Sequence, residues 1–415
     1  MIIEPVVAQH TEEAAFLWLL RDAAVGAPHY LLWELAKLDN RVEAHLDGLR
    51  IAGDDGWVIC AEAAAAGPGE VFAAAVLAFE SGRDERIQLV LKAGTAKPEP
   101  ARGLVTALGW LPLDLAEKHA RALLASPEAA QRRVGIAALA AHRQPPGRAL
   151  DEAIADQDLP LRARALRAVG ELGLVNALPL VRRHLKAEDQ GCPFAAAWSA
   201  ALLDGDPAAV ATLRDLADSA SPLRERALQM ALRRLELRVA KQWQQKLAQK
   251  PALLRQAVIA VSAIGDPELL PWLIEQMKVP PLARVAGEAF SMITGVDIAF
   301  ADLDDDKPED FEAGPTEDPA DPNVAMDPDE NLPWPNRSLI QGWWNKHQSE
   351  FPPGTRHLLG QRITPEWLME VLRTGRQRQR AAAALELAIR QPGQPLFEVR
   401  APGFRQQQML ALKPA

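Results

Sequence analysis

Between residues 158 and 189 the apolar positions follow the period of a helix, break, and then resume. Leu161, Ala165, Leu166, Val169 and Leu172 fall three and four apart, on one face of a first helix. Gly173 ends that run, being a residue that accepts φ > 0 just past a helix. Leu178, Val181 and Leu185 then mark the inner side of a second helix, whose outer side carries Arg182, Arg183 and Lys186. Two helices this short cannot bury their apolar faces alone, so the pattern predicts neighbours built the same way.

Sliding the unit along the chain finds those neighbours. Small residues recur at Gly135, Ala165, Ala197, Ala227, Ala257 and Gly287, at intervals of 30, 32, 30, 30 and 30. A glycine stands eight residues after most of them, at Gly173, Gly205, Gly265 and Gly295. Proline opens the first helix of several copies, at Pro160, Pro193, Pro222 and Pro281, where its missing N–H costs nothing. Upstream, 68–94 and 101–126 read as two degenerate copies, with Gly82 and Gly109 as helix stops. This register predicts an all-α chain: an α-solenoid of helical hairpins with atypical caps at both ends.

The expected organisation runs as follows. An N-terminal helical cap covers 1–57, with an extended start and helices over 12–25 (Phe16, Leu17, Leu20) and 29–48. The repeat solenoid covers 58–300, an acidic, proline-rich linker 301–336, and a mainly helical capping region 337–415. In that last region Ile363, Trp367, Leu368, Val371 and Leu372 predict one helix, and 376–390 a second. The stretch from Leu396 onward predicts a short strand or an extended docking segment.

Composition sharpens the picture. A single tyrosine and few β-branched runs argue against a sizeable sheet. The net charge is −9, unevenly placed: −4 over 1–300, −12 over 301–336 and +7 over 337–415. Cys60 and Cys192 lie far apart and form no metal-type spacing, which suits a reducing compartment. The start has neither the basic flank nor the apolar core of a signal peptide, and no apolar run approaches the roughly 18 residues of a membrane helix. A cytoplasmic protein is expected.

Signals of catalysis are missing from the sequence. It holds no G-x-S-x-G, H-E-x-x-H or P-loop, and no G-x-G-x-x-G after a strand. Asp302, Asp304 and Asp306 take the first three ligand positions of a calcium loop, but Lys307 replaces its glycine and Ala313 its closing glutamate, which favours a solvated acidic segment. No catalytic residue, metal ligand or cofactor is expected.

The candidate residues are therefore residues of binding. Arg182, Arg183, Lys186, Arg214, Lys241, Gln245 and Gln276 are expected to line or rim a concave face that holds a protein partner. Arg132, Arg133, Arg162, Arg164, Arg224, Arg226, Arg255 and Arg284 open the leading helices and form a ladder along one edge. Each either pairs locally or joins a positive strip for an acidic partner, the chain's own 301–330 included. Trp110, Trp198, Trp243 and Trp272 are expected in the core. Trp343 and Trp344 point about 100° apart on a helix, so at least one is a candidate anchor for a partner or for the linker. A net −4 over 1–300 disfavours nucleic acid. An enzyme acting on a nucleic acid or a tetrapyrrole in the same concavity is the alternative.

The run L-R-x-R-A-L-x-A-x-G-x-L-G…A-L-P-L-V, from Leu161 to Val181, resembles the HEAT repeat in its short PBS-lyase HEAT-like form. DPELLPWLIEQM, at 266–277, matches its second half, and the resemblance covers about 130–300. The name implies phycobilin attachment, yet Cys192 has no lyase signature around it. Helical-repeat hydroxylases hold two irons with His-Glu pairs, and none of the eight histidines here is followed by glutamate. The combination of ARVAGEAFSMITGVDIA, LPWPN, RQRQRAAAALELAI and LFEVRAPGFRQQ is similar to a bacterial family of HEAT-repeat proteins often found beside type VI secretion components. That resemblance implies an adaptor or accessory to secreted effectors.

Overall fold

The structure is a computed structural model that describes residues 3–186, 189–309, 311–315, 320 and 326–411. Its described residues form twenty-two α-helices and two pairs of two-residue strands, an all-α solenoid. The chain divides into two compact units, Met1–Thr212 with Arg373–Ala415, and Leu213–Leu372.

The hairpin that organises the sequence forms as its pattern dictates. Asp158 caps the helix Leu159–Glu171, its carboxylate accepting from the Leu161 N–H at 2.8 Å. Leu161, Ala165, Leu166 and Val169 are fully buried. Each of the larger ones contributes about 2 kcal/mol of apolar burial. Gly173 stops the helix at φ +71. A short 3-10 turn, Val175–Ala177, then leads into the helix Leu178–Arg182, with Leu178, Val181 and Leu185 buried.

In the first unit the leading helices Pro68–Ser81, Pro98–Trp110, Ala129–Ala141, Leu159–Glu171 and Gly191–Leu203 pack each on the next. The recurrent Gly135 sits where its leading helix meets the preceding second helix, Leu113–Leu124. A Cβ on Gly135 would stand 2.8 Å from the Ala120 carbonyl oxygen. Gly191–Leu203 is apolar nearly all round, and every residue from Cys192 to Leu203 is buried. The helix Gln377–Arg390 packs against it. In the second unit Arg224–Arg234, Leu254–Ile264 and Pro280–Thr294 pack in the same succession.

Four local expectations are corrected. The N-terminal stretch is helical from Glu4, in Glu4–Ala24, rather than extended. On that helix Phe16 and Leu20 are exposed, because Ala14, Ala15, Leu17 and Trp18 form the packed face. Gly109 lies inside Pro98–Trp110 and does not stop it; the chain turns out at Leu111. Of the two expectations from Leu396 onward, no strand forms among the described residues, while the segment docks, the Leu396 N–H pairing with the Glu171 carbonyl at a helix end; Gly403–Ala411 is helical.

Each unit carries an irregular segment laid over the C-terminal ends of its leading helices. In the second unit this is 352–362, where the His357 N–H donates to Gly265 O at 2.8 Å and the Leu359 N–H to Met292 O at 2.8 Å. The Arg356 guanidinium donates to the carbonyls of Leu232, Leu235 and Ala263. In the first unit it is 393–405, where Arg405 donates to the carbonyls of Gly109, Trp110 and Leu111. The last carbonyls of a helix have no partner within it, and a guanidinium fork satisfies them as a cap.

Arg143 explains how the first strap is held. It stands eight residues after Gly135, at the stop position that glycine fills at 173, 205, 265 and 295. It adopts φ +57 there, a left-handed conformation that costs a side chain about 1 kcal/mol. Its Nε donates to Leu396 O at 2.5 Å and its Nη1 to Glu398 at 2.9 Å.

Candidate partner-binding surfaces

The second-helix residues differ in how free they are. Arg182 is bound to Asp204 and, at 2.6 Å, to Asp206, and those bonds, Asp206 first, raise its pKa above the ordinary value. Lys241 is held by Glu268 at 2.5 Å and by the buried Asp266 at 2.9 Å. Arg214 lies over the Trp243 ring at 5.2 Å, and Gln276 donates to the Trp272 carbonyl at 3.2 Å. Arg183, Lys186 and Gln245 are exposed, and among the described residues their side chains make no hydrogen bond or ion pair. Those three are available to a partner without breaking anything in the fold.

The arginine ladder separates into three kinds of rung. Arg132, Arg162 and Arg224 turn back on the loop before their own helix, donating to the carbonyls of Ser126 and Pro127, Asp156, and Ser219 respectively. Arg132 also reaches Asp156 at 2.7 Å. These arginines fasten one hairpin to the next. Arg255 and Arg284 instead take carboxylates from the acidic stretch after residue 325. Arg255 binds Asp329 through both Nη atoms, at 2.6 and 2.8 Å, and that pairing raises its pKa. Arg284, 7% exposed, pairs with Asp327, donates to the Asp329 carbonyl at 2.9 Å and lies over the Trp334 ring at 4.7 Å. Burial opposes ionisation of Asp327, but the Asp329 N–H and Arg284 outweigh it and hold its pKa below the ordinary value.

Arg133, Arg164 and Arg226 are the third kind. Arg226 is exposed. Arg133 is half-buried, and among the described residues its side chain makes no hydrogen bond or ion pair. Arg164 pairs with Glu171 at 2.7 Å, while its Nη1 is buried without a partner. Burial would raise the Glu171 carboxyl, but Arg164, Arg167 and Arg143 outweigh that and hold it at about 2. Arg102 and Arg400 line a cavity together with Arg133 and Arg164. The sequence reading missed both. The signal for Arg102 was there, since 102, 133 and 164 are 31 apart, but spacing drifts in the upstream copies. Arg400 is brought in by the strap, which no local pattern announces.

The tryptophans are mostly core. Trp110, Trp198 and Trp243 are buried and Trp272 is half-buried. Trp344 is buried, and Trp343 stacks on His347 at 4.3 Å and meets Phe290 edge-on at 5.6 Å. Both thiols are buried and protonated: burial pushes Cys60 up to about 11, and burial with Asp189 pushes Cys192 up to about 12. Among the described residues no group of three or more His, Cys, Asp or Glu is placed to hold a metal ion, and no helix is long and apolar enough to cross a membrane. Of the acidic stretch, residues 310, 316–319 and 321–325 lie outside the described residues.

Residues 146–233 match the HEAT repeats family. The matched HEAT repeats begin just before the short helix Arg148–Ile154 and end within Arg224–Arg234. They contain the hairpin that carries Arg182, Arg183 and Lys186. HEAT repeats generally act as protein-interaction scaffolds, presenting a continuous surface built from stacked hairpins. No curated protein and no solved structure matches the chain.

Proposed function

We propose that this HEAT-repeat protein is a non-catalytic, cytoplasmic scaffold that holds a protein partner on the concave face formed by its second helices. The finer reading is an adaptor accessory to type VI secretion effectors in a bacterium. The match of 146–233 to HEAT repeats carries the scaffold reading, and the similarity of the flanking motifs supports the secretion context. Arg183 and Lys186, exposed and without a side-chain partner among the described residues, are the contacts this reading puts first. The test is affinity capture from the native cytoplasm, followed by reconstitution of any candidate complex from pure components. A stoichiometric protein complex lost on Arg183→Glu and Lys186→Glu, with unfolding unchanged, is the expected result. Recovery of nucleic acid or a chromophore, or a complex indifferent to both substitutions, would sink it.

A further inference from the structure

A cavity of about 360 Å³ opens in the first unit beside the leading helices Pro98–Trp110, Ala129–Ala141 and Leu159–Glu171. Each helix contributes one arginine, Arg102, Arg133 and Arg164, and the strap contributes Arg400. The sole carboxylate on the lining is Asp22, which pairs with Arg102 and, at 2.8 Å, with Arg400. Arg102 and Arg400, both exposed, are thus answered by Asp22. Glu171 answers part of Arg164, at 2.7 Å, and leaves its buried Nη1 unsatisfied. Arg133, half-buried, has no side-chain partner among the described residues. The remaining lining includes Pro98, Ala101, Val105 and Ala137, so the cations stand against an apolar wall. Burial and the neighbouring Arg400 hold Arg102 below its ordinary pKa.

Partly buried cations without counter-charges are costly unless an anion supplies them. An orphaned guanidinium N–H and a free guanidinium in one cavity are donors waiting for acceptors, and a carboxylate matches their fork. Spacing narrows the ligand further. Packed helices lie roughly 8–10 Å apart, so arginines on successive leading helices repeat at about that interval. An extended peptide advances about 3.3 Å per residue, so every third side chain covers the same distance.

We propose that this cavity binds an extended acidic segment of a protein partner, with Asp or Glu at every third position, one of them on Arg133 and the free Nη1 of Arg164. The assignment rests on the scaffold reading and names the chemistry of its partner. The segment lies across the leading helices, its carboxylates on the guanidinium row and its small side chains on Val105 and Ala137. Binding weakens with salt, because the partly exposed row is screened.

The test is titration of the full chain with a short Gly/Ser peptide carrying Glu at every third position. Controls are the same peptide with Glu at every second position, with Gln throughout, and inorganic phosphate. The expected result is binding of the first peptide alone, weakened about tenfold or more by Arg133→Gln. The unfolding midpoint should not move, because the Arg133 side chain has no partner among the described residues. Arg148→Gln, at a side chain 91% exposed on the separate helix Arg148–Ile154 and not on the cavity lining, should leave affinity unchanged. Absence of peptide binding, equal binding of the two Glu spacings, phosphate binding in place of peptide, or indifference to Arg133→Gln would overturn it. The two readings fail separately. A reconstituted complex lost at Arg183 and Lys186 but indifferent to Arg133 removes the cavity and leaves the scaffold. Peptide binding through Arg133 with no stoichiometric protein complex removes the scaffold and leaves the anion site.

Discussion

In the second unit, the strap over the helix ends is seated by backbone. Three of its N–H groups, from His357, Leu359 and Gly360, pair with carbonyls of Gly265, Met292 and Ile293 at 2.8–2.9 Å. Gly265 and Gly295 permit this, because a Cβ on either would stand 2.7 Å from strap backbone. In the first unit, the strap touches one stop glycine, Gly173, where a Cβ would stand 2.7 Å from the Gln394 carbonyl oxygen, and is otherwise seated mainly by side chains. Arg143 replaces the stop glycine and reaches Leu396 and Glu398, while Arg21 donates to the carbonyls of Arg400 and Ala401 at 2.7 and 2.9 Å. One backbone bond, Leu396 N–H to Glu171 O at 2.9 Å, completes it. Both straps solve the same problem of uncapped helix carbonyls. Where the stop residue is glycine the chains touch; where it is arginine a side chain spans the gap.

The sharpest way to break this comparison is at the glycine seats. Gly265→Ala should cost about 3 kcal/mol or more, combining a left-handed alanine with a clash against the His357 carbonyl. Gly82→Ala is the control: φ is +63, but nothing lies within 4 Å, so about 1 kcal/mol is expected. Urea unfolding measures both, and equal costs would refute the seat. Next come the guanidinium caps. Arg405→Met and Arg356→Met each strip three carbonyls of their donor and should cost about 2–3 kcal/mol. Hydrogen exchange should show the loosening confined to the unit that carries the substitution.

Glu171 tests the electrostatics of the first strap. Its folded pKa of about 2 lies below the unfolded value of 4.5, so its contribution is complete above pH 4.5 and is lost as pH falls toward 2. Glu171→Gln should cost on the order of 2 kcal/mol at neutral pH, and the gap to the native protein should close in acid. A gap independent of pH would show that charge is irrelevant there. The smallest effect is expected at Arg255→Gln, about 1 kcal/mol, because its bidentate bond to Asp329 is partly solvated. A double-mutant cycle with Asp329→Asn measures that coupling.

Much of the repeat architecture was legible because it is local. The period of Leu161, Ala165, Leu166 and Val169, the stop at Gly173 and the cap at Asp158 all lie within one hairpin. The straps were not legible, because irregular backbone pairing with distant helix ends leaves no period. Arg143 was hidden for a different reason: arginine seldom adopts positive φ, and it does so here only because the strap rewards it. The strap also hid one of the four arginines of the cavity. Arg133 and Arg164 stood out by register, whereas Arg400 acquires its meaning from a segment that arrives after the second unit has been traversed.

That order of arrival has a consequence for synthesis. The first unit is discontinuous, made of Met1–Thr212 and Arg373–Ala415, and all of Leu213–Leu372 must be translated before its strap leaves the ribosome. Until then the carbonyls of Gly109, Trp110 and Leu111 have no cap, and the wall of Cys192 to Leu203 lacks its covering helix. Domains normally consolidate from the N-terminus as the chain emerges. Here the first segment of the unit stays unfinished until a stretch made much later arrives, so the first unit can close only after the second has been synthesised.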